Sequence, residues 1–275
     1  MKRKTHGKGL IKQLEEQIKD NKISFAVYVV LRIIVFGILI RSAFNSQWES
    51  VFVCVLTLIL FLLPPFVEKT FKIRLPTTLE VIAFLFIFCA EILGEINLYY
   101  EKIPIWDSML HTVNGFLFAA VGFSLVDIFN KNKIFKFQLS PIFLAIVAFC
   151  FSMTIGVMWE FFEFMADFLL KTDMQKDFVV NNLSTVLLDP AHSNSTVLIN
   201  GIESTQILLK DGTTVEFAGY IDIRLFDTVK DLFVNFVGAF VFSVIGFFYV
   251  KHRGSGKIAP QFIPVSVDDS SDNST

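Results

Sequence analysis

Three polar stripes interrupt a very apolar sequence. Asp107, His111 and Asn114 stand four and three residues apart, Glu160, Glu163 and Asp167 three and four apart, and Asp227, Asp231 and Asn235 four apart throughout. On a helix each set occupies one face. A histidine with carboxylates from facing helices is a donor set for a divalent cation such as zinc or manganese. Water on such an ion, flanked by further carboxylates, is a nucleophile with a general base at hand. In that chemistry Asp107 and His111 are metal ligands, and Glu160 and Asp231 the acid and base. Asn114, Glu163, Asp227 and Asn235 then complete the binding site. Neither HExxH nor Glu-x-x-His occurs here, so the spacing allows a metal without demanding one.

The elements that hold these stripes are membrane spans. Of 275 residues, 53% are hydrophobic, 33 are Phe and only 18% are charged, against about 25% in an average soluble domain. Crossing a hydrocarbon core takes about 20 apolar residues as helix. Six segments reach that length, over roughly 24–43, 48–67 (ending at Pro64-Pro65), 76–97, 105–129, 141–168 and 227–250. The expected fold is an all-α polytopic membrane protein with six transmembrane helices and a small β-rich extracytoplasmic loop between helices five and six. Cys54, Cys89 and Cys150 lie inside apolar runs without paired or ligand spacing and read as reduced core residues. The first apolar segment has no small-residue cleavage site and reads as a retained anchor.

Lysine and arginine set the orientation. Lys2, Arg3, Lys4, Lys8 and Lys12, then Lys69, Lys72 and Arg74, then Lys131, Lys133 and Lys136, then Lys251, Arg253 and Lys257 fall in alternate loops and at both ends. The positive-inside rule makes these cytoplasmic, giving a multi-pass plasma-membrane protein with both termini inside. The expected organisation is an amphipathic cytoplasmic arm over 1–22, helices one to five over 23–170 and an extracytoplasmic β-hairpin loop over 171–226. Helix six over 227–251 and a disordered cytoplasmic tail over 252–275 complete it. Gln206–Lys210, Asp211-Gly212 and Thr213–Phe217 read as a hairpin around an Asp-Gly turn, and Val197–Asn200 as a further strand.

In this topology the three stripes, with Glu91 and Glu95 of the third span, lie in the outer leaflet. Like charges there cannot all stay ionised without protons, a cation or water. Simpler readings stand beside the metal. His111 is equally well explained by a hydrogen bond to a neighbouring carboxylate. Asp167, Asp222 and Glu95, at span ends, read as acids wetted at headgroup level. Asp231 and Asn235 also serve as interhelical hydrogen-bond glue. Arg32 is expected to pair with Glu80, and Trp48, Tyr99, Tyr100 and Trp106 to form an interfacial belt.

The ordered motifs D-x-x-x-H-x-x-x-G (Asp107, His111, Gly115), W-E-x-x-E (Trp159, Glu160, Glu163) and D-x-x-x-D-x-x-x-N-x-x-G (Asp227, Asp231, Asn235, Gly238) resemble the uncharacterised YjdF-like bacterial inner-membrane proteins. More loosely they are similar to VanZ-like proteins. The resemblance covers about 100–250. It implies a bacterial plasma-membrane protein without an assigned reaction and, on the VanZ-like side, a link to glycopeptide tolerance and the cell envelope. The long loop between the glutamate and aspartate helices departs from that pattern.

Three functions follow in order. The first is a cell-envelope-related binding or scaffold protein, whose partners are membrane lipids and an envelope protein or lipid-linked ligand outside. The second is a metal-dependent membrane enzyme acting on a lipid or envelope precursor. The third is a cation-coupled transporter, disfavoured by the absence of repeats. No basic patch lies on a folded soluble domain, which excludes nucleic-acid binding.

Overall fold

Ser140 and Pro141 begin the longest helix as the sequence dictates: the serine hydroxyl accepts the Phe143 N–H at 3.3 Å, and proline occupies the first helical position. The computed structural model describes residues 22–71, 73–131, 139–252 and 254–266. The expected N-terminal arm, Lys72, Lys133, Lys136, Arg253 and the last nine residues lie outside them.

Chain order is α1 (Lys22–Phe44), α2 (Trp48–Leu60), α3 (Leu63–Phe71), β1 (Ile73–Arg74), α4 (Thr77–Phe88), a π-helical stretch (Cys89–Ile96) and α5 (Tyr99–Lys102). Then come α6 (Trp106–Lys131), α7 (Pro141–Leu170), the strands β2 to β7, α8 (Leu225–Lys251), a 3-10 turn (Ala259–Gln261) and β8 (Val265–Ser266). Among the described residues five helices are long and apolar enough to cross a membrane: Lys22–Phe44, Trp48–Thr70, Trp106–Asp127, Pro141–Leu170 and Leu225–Lys251. The second does not stop at its prolines. The helix breaks at Phe61-Leu62, and Pro64 and Pro65 fall in the first turn of α3, where their missing N–H groups have no helical acceptor to lose. The expected third span is helical from Thr77 to Ile96, but as 12 α-helical residues followed by eight π-helical ones. Gly94 in that stretch admits the ring of Tyr100, where a Cβ would collide.

The chain divides into two compact units, residues 1–156 with 234–275, and residues 157–233. In the first, α1, α2, α4 and the π stretch share a core of Leu31, Val35, Cys54, Phe61, Phe84 and Ile92. The Phe61 and Phe84 rings meet edge-on at 5.9 Å. Three hydroxyls in the apolar helices are satisfied locally: Thr57, Thr112 and Ser124 each donate to the carbonyl four residues back. Arg32 does not pair with Glu80. It donates to the Leu58 carbonyl at 3.4 Å and lies over the Tyr28 ring at 4.5 Å. All three cysteines are free.

Of the tail expected to be disordered from 252, residues 254–266 are described and include the 3-10 turn and β8. Its apolar run Ile258–Val265 supplies buried Ala259 and Ile263, and β8 pairs antiparallel with β1.

The second unit holds the ends of α7 and α8 and three two-stranded antiparallel ladders. β2 (Phe178–Val180) pairs with β7 (Tyr220–Asp222), β3 (Asn182–Thr185) with β4 (Val197–Asn200), and β5 (Ser204–Leu208) with β6 (Thr214–Ala218). The expected hairpin exists, but its loop is five residues long. Asp211 Oδ1 accepts the Thr213 N–H and hydroxyl, the Leu209 N–H donates to the Thr213 carbonyl, and Gly212 takes the left-handed φ of +86°. Between β3 and β4, Asp189 accepts the N–H groups of Ser195, Ala191 and Ser193 and the Ser193 hydroxyl. These donors hold its carboxyl below the usual aspartate range, the Ser195 N–H most strongly. With the folded value depressed, the loop gains stability above the ordinary aspartate pKa and loses it as pH falls through the folded one. Amide shifts of Ser193 and Ser195 are therefore expected to titrate below pH ~3.9, the unperturbed value, and Asp189→Asn abolishes that titration. An inflection at or above that pH contradicts this.

Candidate functional site

The α6 helix places Asp107 and His111 one turn apart, with His111 Nε2 3.5 Å from Asp107 Oδ1. His111 is buried and Asp107 half-buried. One turn on, Gly115 lets α8 approach so closely that an added Cβ would strike the backbone carbonyl of Asn235. Gly156 of α7 faces the same residue, its would-be Cβ 2.6 Å from Asn235 Nδ2. Ser152 of α7 donates to the Gly115 carbonyl at 2.7 Å. Three helices thus lock around Asn235, which is only 1% exposed. Its amide donates to Met153 Sδ at 3.5 Å, and its buried Oδ1 has no hydrogen-bond partner among the described residues. Asn114 is half-buried, and its side chain makes no hydrogen bond among them. The face that packs carries Gly115 instead, because only glycine permits that approach.

The second unit carries the remaining acids, and all are buried: Glu160, Glu163 and Asp167 on α7, Asp227 and Asp231 on α8. Asp167 is not a wetted acid. Thr172 Oγ1 and the Met174 N–H donate to its Oδ1, both at 2.7 Å, the Gln175 N–H donates to Oδ2 at 3.0 Å, and Arg224 Nε lies 3.6 Å away. Asp227 is similarly committed, accepting the Lys176 N–H at 2.7 Å and Lys230 Nζ at 2.9 Å. Asp222 is half-buried and accepts the Phe226 N–H at 2.7 Å, capping the start of α8.

Side chains, not backbone, hold the other three. Gln175, 3% exposed, donates to Glu160 Oε2 at 3.2 Å and to Thr228 Oγ1 at 2.9 Å. Trp159 donates to Glu163 Oε1 at 2.9 Å. Lys230 Nζ lies 3.5 Å from Asp231 Oδ1 and over the Phe178 ring at 5.4 Å. Sequence reasoning missed Gln175, Thr228, Lys230 and Arg224. Lys230 had a visible signal, standing three residues after Asp227 and next to Asp231. Asp107, His111, Glu160, Glu163 and Asp231 are of the side-chain types that ligate a metal ion.

These apolar helices with buried acids and a histidine define a multi-pass membrane protein. The chain matches, over residues 27–252, the family model described as "Predicted membrane protein (DUF2238)", and it belongs to that family, which includes the YjdF-like proteins. No curated protein and no solved structure matches it.

Proposed function

We propose that this chain is a six-span plasma-membrane protein of the bacterial cell envelope that binds a divalent cation through His111, Glu160, Glu163 and Asp231, with Asp107 beside His111. The observation that carries this reading is the charge of the second unit. Six buried carboxylates stand there, Asp189 in its loop and five on α7 and α8 beside the positive charges of Arg224 and Lys230. A low-dielectric interior does not hold such an excess of negative charge without protons or a cation. Spacing supports the choice of ligands: His111 lies on the polar stripe of α6, Glu160 and Glu163 on that of α7, and Asp231 on that of α8.

The six spans take Thr77–Ile96 as the third, 20 helical residues long. The basic loops then put both termini in the cytoplasm and residues 171–226 outside. Binding is preferred to catalysis because Asp167 and Asp227, which could have served as extra bases, are spent on backbone N–H groups.

The test is thermal unfolding of chelator-treated protein in detergent with zinc or manganese added back. A ligand at about 100 times its Kd stabilises by about 2.7 kcal/mol, or a rise of roughly 5–10 °C in a chain of this size. The rise is expected in the native chain and absent in Glu160→Gln. An equal rise in both contradicts the assignment.

A further inference from the structure

Backbone without helical or sheet pairing is tolerated at membrane depth only where protein surrounds it. In the segment after α8, Ala259, Ile263 and Pro264 are buried and Phe262 is half-buried, while Ile258, Pro260 and Gln261 are exposed. Phe116 of α6 lies eleven residues before Asp127, the end of the apolar stretch, or about 16 Å along the axis. The Phe262 ring packs edge-on against it, with centroids 4.9 Å apart. Ala259 and Ile263, 3% and 4% exposed, lie in one core with Ala119, Ala120, Phe123 and Phe242. Phe262 also packs against the cluster of Ile73, Leu75 and Leu79. The turn satisfies its own backbone: the Phe262 and Ile263 N–H groups donate to the Ala259 carbonyl, and Gln261 Nε2 donates to the Lys257 carbonyl. The Thr78 hydroxyl donates to Gln261 Oε1 at 3.4 Å, and β8 pairs with β1. The chain therefore leaves α8, turns back and runs inward along α6.

We propose that residues 258–266 are a re-entrant plug that seals the bundle at the end of α6 remote from Asp107 and His111. Resting on the cation-binding reading, the consequence is one-sided access: a cation reaches the site only from the Asp107 end, and passage through the bundle requires the plug to withdraw. Ile258 to Pro264 carries no charge, so nothing in that stretch anchors it in water.

Thiol labelling tests the plug without any metal. In a chain carrying Cys54→Ala, Cys89→Ala and Cys150→Ala, Leu79→Cys places a thiol at a position that is buried and packed against Phe262. A water-soluble maleimide is expected to label it slowly in the full chain and at least tenfold faster when the chain ends at Lys257. Should the shortened chain aggregate, the full-length Phe262→Ser, Ile263→Ser double variant is expected to show the same acceleration. Unchanged labelling in the folded shortened chain, or in the double variant where that decides, overturns the plug. Cation-induced stabilisation of the same preparations reports on the cation reading separately, so either idea can fail alone.

Discussion

A Gly115→Ala chain is expected to lose its native helix packing. The new Cβ meets the Asn235 backbone carbonyl, with that carbonyl's carbon 2.9 Å away and Asn235 Oδ1 3.0 Å away. Backbone cannot rotate aside as a side chain can. The approach is reciprocal, since Gly238 of α8 lies equally tight against the Thr112 carbonyl of α6. Small residues at such a crossing let two membrane helices gain dispersion contacts that lipid does not offer. Forcing α6 and α8 apart costs about 3 kcal/mol, the upper part of the range for overpacking. Gly37 is the control, because nothing lies within 4 Å of a Cβ there. Gly37→Ala is expected to stabilise α1 by roughly 0.5–1 kcal/mol, the ordinary helical preference for alanine. Unfolding midpoints in bicelles compare the two. Equal midpoints would contradict the close approach.

Asp167→Ala is expected to release the segment that returns from α7 toward α8. The carboxylate gathers one hydroxyl and two backbone N–H donors from residues 172–175 and faces Arg224. Removing it strands those donors, at about 3 kcal/mol in total. Gln175 then loses the anchor that aims its amide at Glu160 and Thr228. Trypsin cleavage at Lys171 or Lys176 reads the release directly and is expected to accelerate at least tenfold. Asp173→Ala removes only an exposed pair with Lys176 and changes stability by less than about 1 kcal/mol. Similar cleavage in both variants would show that Asp167 does not hold the segment.

Much of this was legible from spacing. Intervals of three and four residues placed Asp107 with His111 and picked out the acids of α7 and α8 that are buried. Spacing reports a face but not how deeply neighbouring helices sink into it. Asn114 shares the His111 stripe by interval, yet the contact is made one residue further on, at Gly115. Depth along a span was equally misleading for Asp167, because the chain reverses at Thr172 and brings its own donors back. The same reversal hides Gln175, since nothing distinguishes a loop glutamine until the loop is folded. In the tail, the polar ending after Val267 masked the apolar run before it. The helix over Thr77–Ile96 was visible as apolar length, while its π-helical second half, where Gly94 lies against Tyr100, leaves no mark in the spacing.

Elemental analysis of protein purified in detergent without chelator tests most directly whether the buried acids share a divalent cation. The native chain is expected to carry about one zinc or manganese ion per chain after incubation with the metal and desalting, its acids and histidine being suitable ligands. His111→Ala and Glu160→Gln are each expected to lose it while remaining monodisperse. A native chain that retains no divalent cation, or variants that retain as much as the native chain, would contradict the account.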